Sequence, residues 1–147
     1  MTEQLSISVV IVTRNRAAWL KDALTSLVNQ SRQPDEVIVV DNDSADTTKE
    51  TALSFTHTLN LKYLYEPTRG IPYARNTGIR AASGDIIAFI DDDCVADSNW
   101  LKYLEIPFIK DPHVGVAGGE LLHFKIGDSI IEEFYANNMV SQRRRRD

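Results

Sequence analysis

The runs Val9-Val10-Ile11-Val12 and Val37-Ile38-Val39-Val40 contain no polar interruption. A strand with one wet face alternates apolar and polar side chains, so an unbroken run belongs to a strand buried on both faces. A parallel sheet covered by helices provides that burial, and each parallel connection needs a crossover. The residues between the runs supply one. Leu20, Ala23, Leu24, Leu27 and Val28 recur at helical spacing, which predicts a strand over 7–12 and an amphipathic helix over 17–30. The alternation continues with strand 36–40, helix 46–59 (Ala52, Phe55 and Leu59 inward), strand 61–65 ended by Pro67, and helix 71–82. Strand 86–90, helix 99–109 disturbed at Pro107, strand 114–117 and helix 128–142 complete it. The expected architecture is a Rossmann-like α/β sandwich: a mostly parallel sheet with helices on both faces.

A length of 147 residues, 43% hydrophobic and 25% charged, suits one soluble domain with a real core. The net charge of −5 argues against broad nucleic-acid binding. A single cysteine, Cys94, excludes an intrachain disulfide framework and makes a reducing, cytoplasmic compartment the expectation. No apolar run approaches the roughly 20 residues of a bilayer span. Met1-Thr2-Glu3-Gln4 lacks the basic region of a secretory signal. Arg143, Arg144, Arg145 and Arg146 read as a solvated tail; the sharper reading is peripheral contact with the anionic inner face of a membrane.

Ligands of open parallel sheets bind beyond the carboxyl ends of the strands. Those ends collect Thr13-Arg14-Asn15-Arg16, Asp41-Asn42-Asp43-Ser44 and Asp91-Asp92-Asp93. Each has a structural account. Thr13 can stop a strand, Arg14 and Arg16 can be solvated, Ser44 or Asp46 can cap the following helix, and Asp97 can cap another. The triplet of acids is harder to explain by packing. Carboxylates piled at the end of a buried strand repel one another, a penalty tolerated where a hard divalent cation neutralises them and then holds phosphates. Asn42 presents both a donor and an acceptor, which suits the edge of a pyrimidine ring. In Gly70-Ile71-Pro72-Tyr73-Ala74-Arg75-Asn76-Thr77-Gly78, Pro72 fits a first helical turn and Gly78 close packing. Arg75 remains unexplained by packing and offers the fork of donors that a base or diphosphate requires.

Taken in order, Val9 to Arg16, Val40 to Asp46, Gly70 to Gly78 and Asp91-Asp92-Asp93 resemble the motifs of family 2 glycosyltransferases, which have the GT-A fold. The resemblance covers roughly residues 7–119, including Gly118-Gly119 after the expected fifth strand. It implies that Thr13 and Arg14 lie against a nucleotide base and that Asn42 reads the base edge. That position is often Asp in the family. It also implies that Arg75 contacts the nucleotide. Asp91 and Asp93 match the two acids of the Asp-x-Asp motif, the first meeting the ribose or a metal-bound water and the second binding Mn²⁺ or Mg²⁺. Asp92 is expected to be a supporting charge. The donor is then a nucleotide-diphosphate sugar of the UDP, dTDP or GDP type, and the acceptor a carbohydrate or glycolipid hydroxyl.

An inverting transferase also needs a carboxylate that deprotonates the acceptor, and in the family it lies well downstream of the Asp-x-Asp motif. Glu120, Glu132 and Glu133 are the downstream acids, with Glu120 the candidate because it follows Gly118-Gly119; His123 is read as structural. The expectation is a donor-binding domain over 1–119 and the start of an acceptor half over 120–147, apparently truncated, with apolar surface exposed where further chain would pack. A binding-only fragment is the main alternative. A nucleotidyltransferase would need a glycine-rich loop where Thr13-Arg14-Asn15-Arg16 stands, and a phosphoacceptor signalling domain would need acids there.

Overall fold

The computed structural model describes residues 4–121. They form β1 (Ile7–Thr13), α1 (Ala17–Val28), β2 (Glu36–Asp41), α2 (Thr48–Leu53), β3 (Leu61–Tyr65), α3 (Ile71–Ala81), β4 (Ile86–Phe89) and α4 (Trp100–Lys110). The four strands form one sheet in the order β3-β2-β1-β4, and every pairing is parallel.

The unbroken apolar runs are the two central strands, as their burial on both faces demands. Successive residues supply opposite cores. Ile7, Val9 and Ile11 join Val37, Val39, Ile86 and Ala88 on the face covered by Leu20, Leu24 and Leu27 of α1 and Leu101 of α4. Val10, Ile38 and Val40 pack on the other face with Ala74 of α3. Each fully buried leucine of α1 stabilises the fold by about 2 kcal/mol on a transfer scale. α3 comes unusually close to the sheet: a Cβ on Gly78 would sit 2.5 Å from Cγ1 of Val10 and 3.3 Å from Cγ2 of Val40.

Three expectations need correction. The helix expected over 46–59 is regular only over Thr48–Leu53. The hydroxyls of Ser54, Thr56 and Thr58 each donate to a carbonyl three residues back. Such bonds compete with the helical pattern, and turns replace it. Leu59 is nonetheless buried and Phe55 packs against the core. The strand expected over 114–117 is absent: 114–121 is irregular, and Val116 is 86% exposed. β4 pairs only with β1 among the described residues, and the segment's glycines, Gly115, Gly118 and Gly119, disfavour a strand. Pro107 does not break α4, which runs through to Lys110. It lies in the final turns, where the single lost amide leaves the helix intact.

Phe89, Tyr103, Val116 and Leu121, around β4 and α4, are exposed. No helix among the described residues is long and apolar enough to cross a membrane. The expected helix over 128–142, His123, Glu132, Glu133 and the arginines Arg143, Arg144, Arg145 and Arg146 lie outside the described residues.

Candidate functional site

After β1 the chain moves outward through β2 and β3, then returns by α3 to place β4 on the other side of β1. The crevice at such a reversal is where open α/β sheets bind ligands. Here β1 and β4 separate early. Their register runs from Ile7 opposite Ile86 to Val10 opposite Phe89, and the Ile90 amide donates to the Val10 carbonyl at 3.3 Å. Beyond that point the end of β1 and the acid triplet face each other without a ladder.

Side chains lock the loops following β1 and β2 together. The Asn15 amide donates to Ser44 Oγ at 2.8 Å, and Asn15 Oδ1 accepts from the Ala45 amide at 2.7 Å. Asn15 and Asp43 both have left-handed backbones, with φ of 53° and 65°. Asn and Asp are the non-glycine residues that best tolerate that region. Asp46 serves two helices. One carboxylate oxygen accepts from the Ala17 amide at the start of α1 (3.2 Å) and the other from the Thr48 amide at the start of α2 (3.0 Å). The Thr48 hydroxyl and these amides hold Asp46 below the usual carboxylate range, outweighing its desolvation.

Asn42 is 4% exposed. Its Nδ2 donates to the carbonyls of Glu66 (3.0 Å) and Thr68 (2.8 Å), and its Oδ1 accepts from the Gly70 amide (2.8 Å). Both donors of the carboxamide therefore engage backbone, and one acceptor lone pair is left. These bonds fix the path from β3 to Gly70, whose φ of 138° suits glycine. Glu66 extends the brace, accepting from the Thr68 amide and from the Thr77 hydroxyl of α3. Next door, Asp41 accepts from Tyr63 Oη at 2.7 Å and from the Ser44 amide at 2.9 Å. Burial and then that carboxylate push the Tyr63 phenol far above its ordinary range.

The three acids do not share one environment. The side chains of Asp91 and Asp93 are 69% and 49% exposed, that of Asp92 only 7%. Asp92 accepts from Thr13 Oγ1 at 2.8 Å and from Arg16 Nη1 at 3.1 Å. The same Arg16 nitrogen lies 3.2 Å from Asp93. The hydrogen bond to Asp92 holds the Arg16 guanidinium still more firmly charged than usual. From the opposite side, Arg75 Nη2 approaches Asp91 at 3.6 Å.

Asp91, Asp93 and Cys94 bring ligand atoms within 4.8 Å of one another. Burial, then the charges of Asp93 and Asp91, push the Cys94 thiol up and keep it protonated. Two of these three groups are hard, exposed carboxylates, which fit a hard divalent cation. Asp91 and Arg75 also line a cleft of about 640 Å³ with Trp100, Tyr103, Gly119 and Glu120.

The structure gathers Thr13, Arg14, Asn42, Arg75, Asp91 and Asp93 at one edge of the sheet, and Glu120 faces the cleft that Asp91 and Arg75 line. Thr13 is 2% exposed, its hydroxyl turned to Asp92. Arg14 is exposed, its Nε within 3.5 Å of the Asp43 carbonyl. Sequence reasoning missed the inward turn of Asp92, the two-acid contact of Arg16 and the brace formed by Glu66.

The model of Glycosyl transferase family 2 matches residues 8–144. Glycosyltransferase AglE of Haloferax volcanii is 38% identical over 119 residues, covering 78% of this chain and 39% of that protein. A validoxylamine A glucosyltransferase of Streptomyces hygroscopicus is 37% identical over 100 residues, covering 65% and 22%. The chain thus spans about two-fifths or less of these curated relatives. Among solved structures, the mannosyltransferase PcManGT from Pyrobaculum calidifontis in complex with GDP-Man and Mn²⁺ superposes with a TM-score of 0.69 at 29% identity. That match covers 78% of this chain and 35% of the other. S. aureus TarS 1-349 in complex with UDP gives 0.67 at 29% identity, covering 82% and 40%. By the family match over most of its length, the shared parallel sheet and the acids at its switch point, the chain belongs to glycosyl transferase family 2.

Proposed function

We propose that this chain binds a nucleotide-diphosphate sugar with Mn²⁺ or Mg²⁺ and forms the donor half, residues 1–119, of an inverting glycosyltransferase whose acceptor half begins at 120–147. The observation that carries this reading is the pair of exposed carboxylates, Asp91 and Asp93, presented at the sheet's reversal point with an arginine on either side.

The base is assigned to Thr13, Arg14 and Asn42 at the ends of β1 and β2. With both amide donors bound to backbone, Asn42 can only accept, which suits the ring N–H of uracil, thymine or guanine and hence UDP, dTDP or GDP donors. Arg75, which lines the cleft, is assigned to contact the nucleotide. Asp93, with Asp91, would hold the metal, which supplies a Lewis acid for charge developing on the departing diphosphate. In the transfer, an acceptor hydroxyl oxygen bonds to the anomeric carbon as the bond to the diphosphate oxygen breaks. That oxygen keeps the electron pair, and the hydroxyl proton passes to a carboxylate base. Glu120 is the acid to test for this role, on a carbohydrate or glycolipid acceptor.

The deciding experiment is calorimetric titration of UDP, dTDP and GDP, each with and without Mn²⁺. Metal-dependent binding of one nucleotide, lost in Asp93→Asn, supports the assignment; no binding of any nucleotide under either condition overturns it. Donor hydrolysis or transfer would separate an enzyme from a binding-only fragment.

A further inference from the structure

We infer that Asp92 is a positioning residue, which holds Asp91 and Asp93 in a ligating arrangement by anchoring the acid triplet to the end of β1. The inference rests on the reading of Asp91 and Asp93 as metal ligands.

Three observations carry it. First, the acid triplet begins where the β1–β4 ladder has ended, at the Ile90 amide and Val10 carbonyl. Backbone pairing with β1 therefore does not fix the direction of residues 91–93. Second, Asp92 is the acid turned inward, and both its oxygens are engaged: Oδ2 by the Thr13 hydroxyl and Oδ1 by Arg16. Thr13 is itself fixed in the sheet, opposite Asp41 in the β1–β2 register, and its carbonyl accepts the Asn42 amide at 2.9 Å. The anchor is thus tied to a buried part of the sheet. Third, the Arg16 nitrogen that meets Asp92 also meets Asp93. One guanidinium spans the anchored acid and a ligating one, so the position of Asp93 is set from both the backbone and the side-chain side.

Asp92 is buried while its two neighbours are exposed, and burying the middle charge is tolerated because a hydroxyl and a guanidinium satisfy it. A partner of this kind, one step behind the ligands, sets their orientation, and its loss typically weakens metal binding about 10–100-fold.

The test is Mn²⁺ affinity, read from the paramagnetic resonance signal of free Mn²⁺, on the 147-residue chain and its variants. Asp92→Asn keeps the shape but loses the charge that holds Arg16. It should weaken Mn²⁺ binding at least about tenfold while the protein remains folded by circular dichroism. Thr13→Val should weaken it in the same direction, and Thr13→Ser should restore it by returning the hydroxyl. Asp93→Asn serves as the ligand control. If Asp92→Asn lowers only the melting temperature and leaves Mn²⁺ affinity at the parent value, Asp92 is merely structural and the inference is wrong. If the parent chain binds no Mn²⁺, the metal reading fails and takes this inference with it. Parent binding with Thr13→Val unaffected overturns the anchor alone.

Discussion

Glu36 at the amino end of the sheet and the pair Asp91 and Asp93 at its carboxyl end hold their carboxylates in opposite ways. Glu36 is buried and met by short bonds from neutral donors, and the exposed Asp35 and Asp85 beside it also accept from backbone amides. Glu36 accepts from the hydroxyls of Ser8 and Ser83 and from the Ser83 amide, and Asp85 accepts from the amide and hydroxyl of Ser6. Asp35 caps the Ile7 amide and pairs with Arg32. At the carboxyl end, Asp91 and Asp93 meet only exposed arginines and a protonated thiol. An acid with its lone pairs met by short neutral donors contributes to stability; one left facing solvent beside exposed cations is available to a ligand. Position alone would not separate these acids, since Asp41 and Asp46 at the carboxyl end are also met by hydroxyl and amide donors; the identity of each acid's partners does.

Substitutions should therefore dissociate stability from binding. The largest effect is expected from Glu36→Ala, which leaves two hydroxyls and an amide near the sheet's edge without their acceptor. Stability in urea should fall by about 3 kcal/mol, while nucleotide affinity of the folded protein stays the same. Asp93→Asn should do the reverse. Mn²⁺-dependent nucleotide binding should weaken by more than about tenfold in calorimetry, with stability changed by less than about 0.5 kcal/mol because the side chain is exposed. Equal losses of stability in both variants would collapse the distinction.

Acid should act on the depressed carboxylates at both ends of the sheet, Asp46 at one and Asp35 and Glu36 at the other. Burial raises Glu36, but its Ser8 and Ser83 donors outweigh that and hold it below its ordinary 4.5. Asp35 is likewise held below 3.8, burial being offset by the Ile7 amide and Arg32. A depressed carboxylate stabilises the fold above its unfolded pKa, and that contribution is lost as pH falls through the folded value. The urea midpoint should be insensitive to these groups from pH 7 to about 5 and decline below the ordinary value of 4.5. Glu36→Gln should flatten the decline; an unchanged slope would show that Glu36 does not contribute to it. The smallest effect is expected where the loops interlock. Asn15→Ala forces alanine into the left-handed region and removes the acceptor of the Ala45 amide, so it should lower stability by about 1 kcal/mol. Asn15→Gly should be milder; equal losses would place the whole effect on the hydrogen bond.

The fold was legible because burial on both faces leaves so clear a mark: Val9 to Val12 and Val37 to Val40 name the central strands and their parallel pairing. Helix ends and sheet edges were less so. The hydroxyls of Ser54, Thr56 and Thr58 stop α2 through local bonds that apolar spacing does not register. Val114 to Ala117 has apolar residues that suggest a strand, yet Gly115 within it and Gly118 and Gly119 after it disfavour one, and the segment does not pair with the edge of β4. At the site, the sequence showed which strand ends collect polar groups but not which way each side chain turns. Asn42 and Asp92 stood apart from their neighbours in the sequence by residue type and motif position, but their burial and their partners were not legible there. Arg16 was indistinguishable from a solvated arginine until two acids were found at its tip.

The absent side chain at Gly78 reaches further than the core it permits. Arg75 stands one helical turn before it, so the distance from the sheet to α3 at Gly78 also decides how far Arg75 must extend to meet Asp91. A methyl group there would meet Val10 at 2.5 Å and lever the helix outward. The guanidinium would then move with it, away from acids that stay with β4. The active edge thus inherits its tolerance from a contact between two hydrocarbon surfaces, and a residue with no functional group sets the reach of one that has five donors.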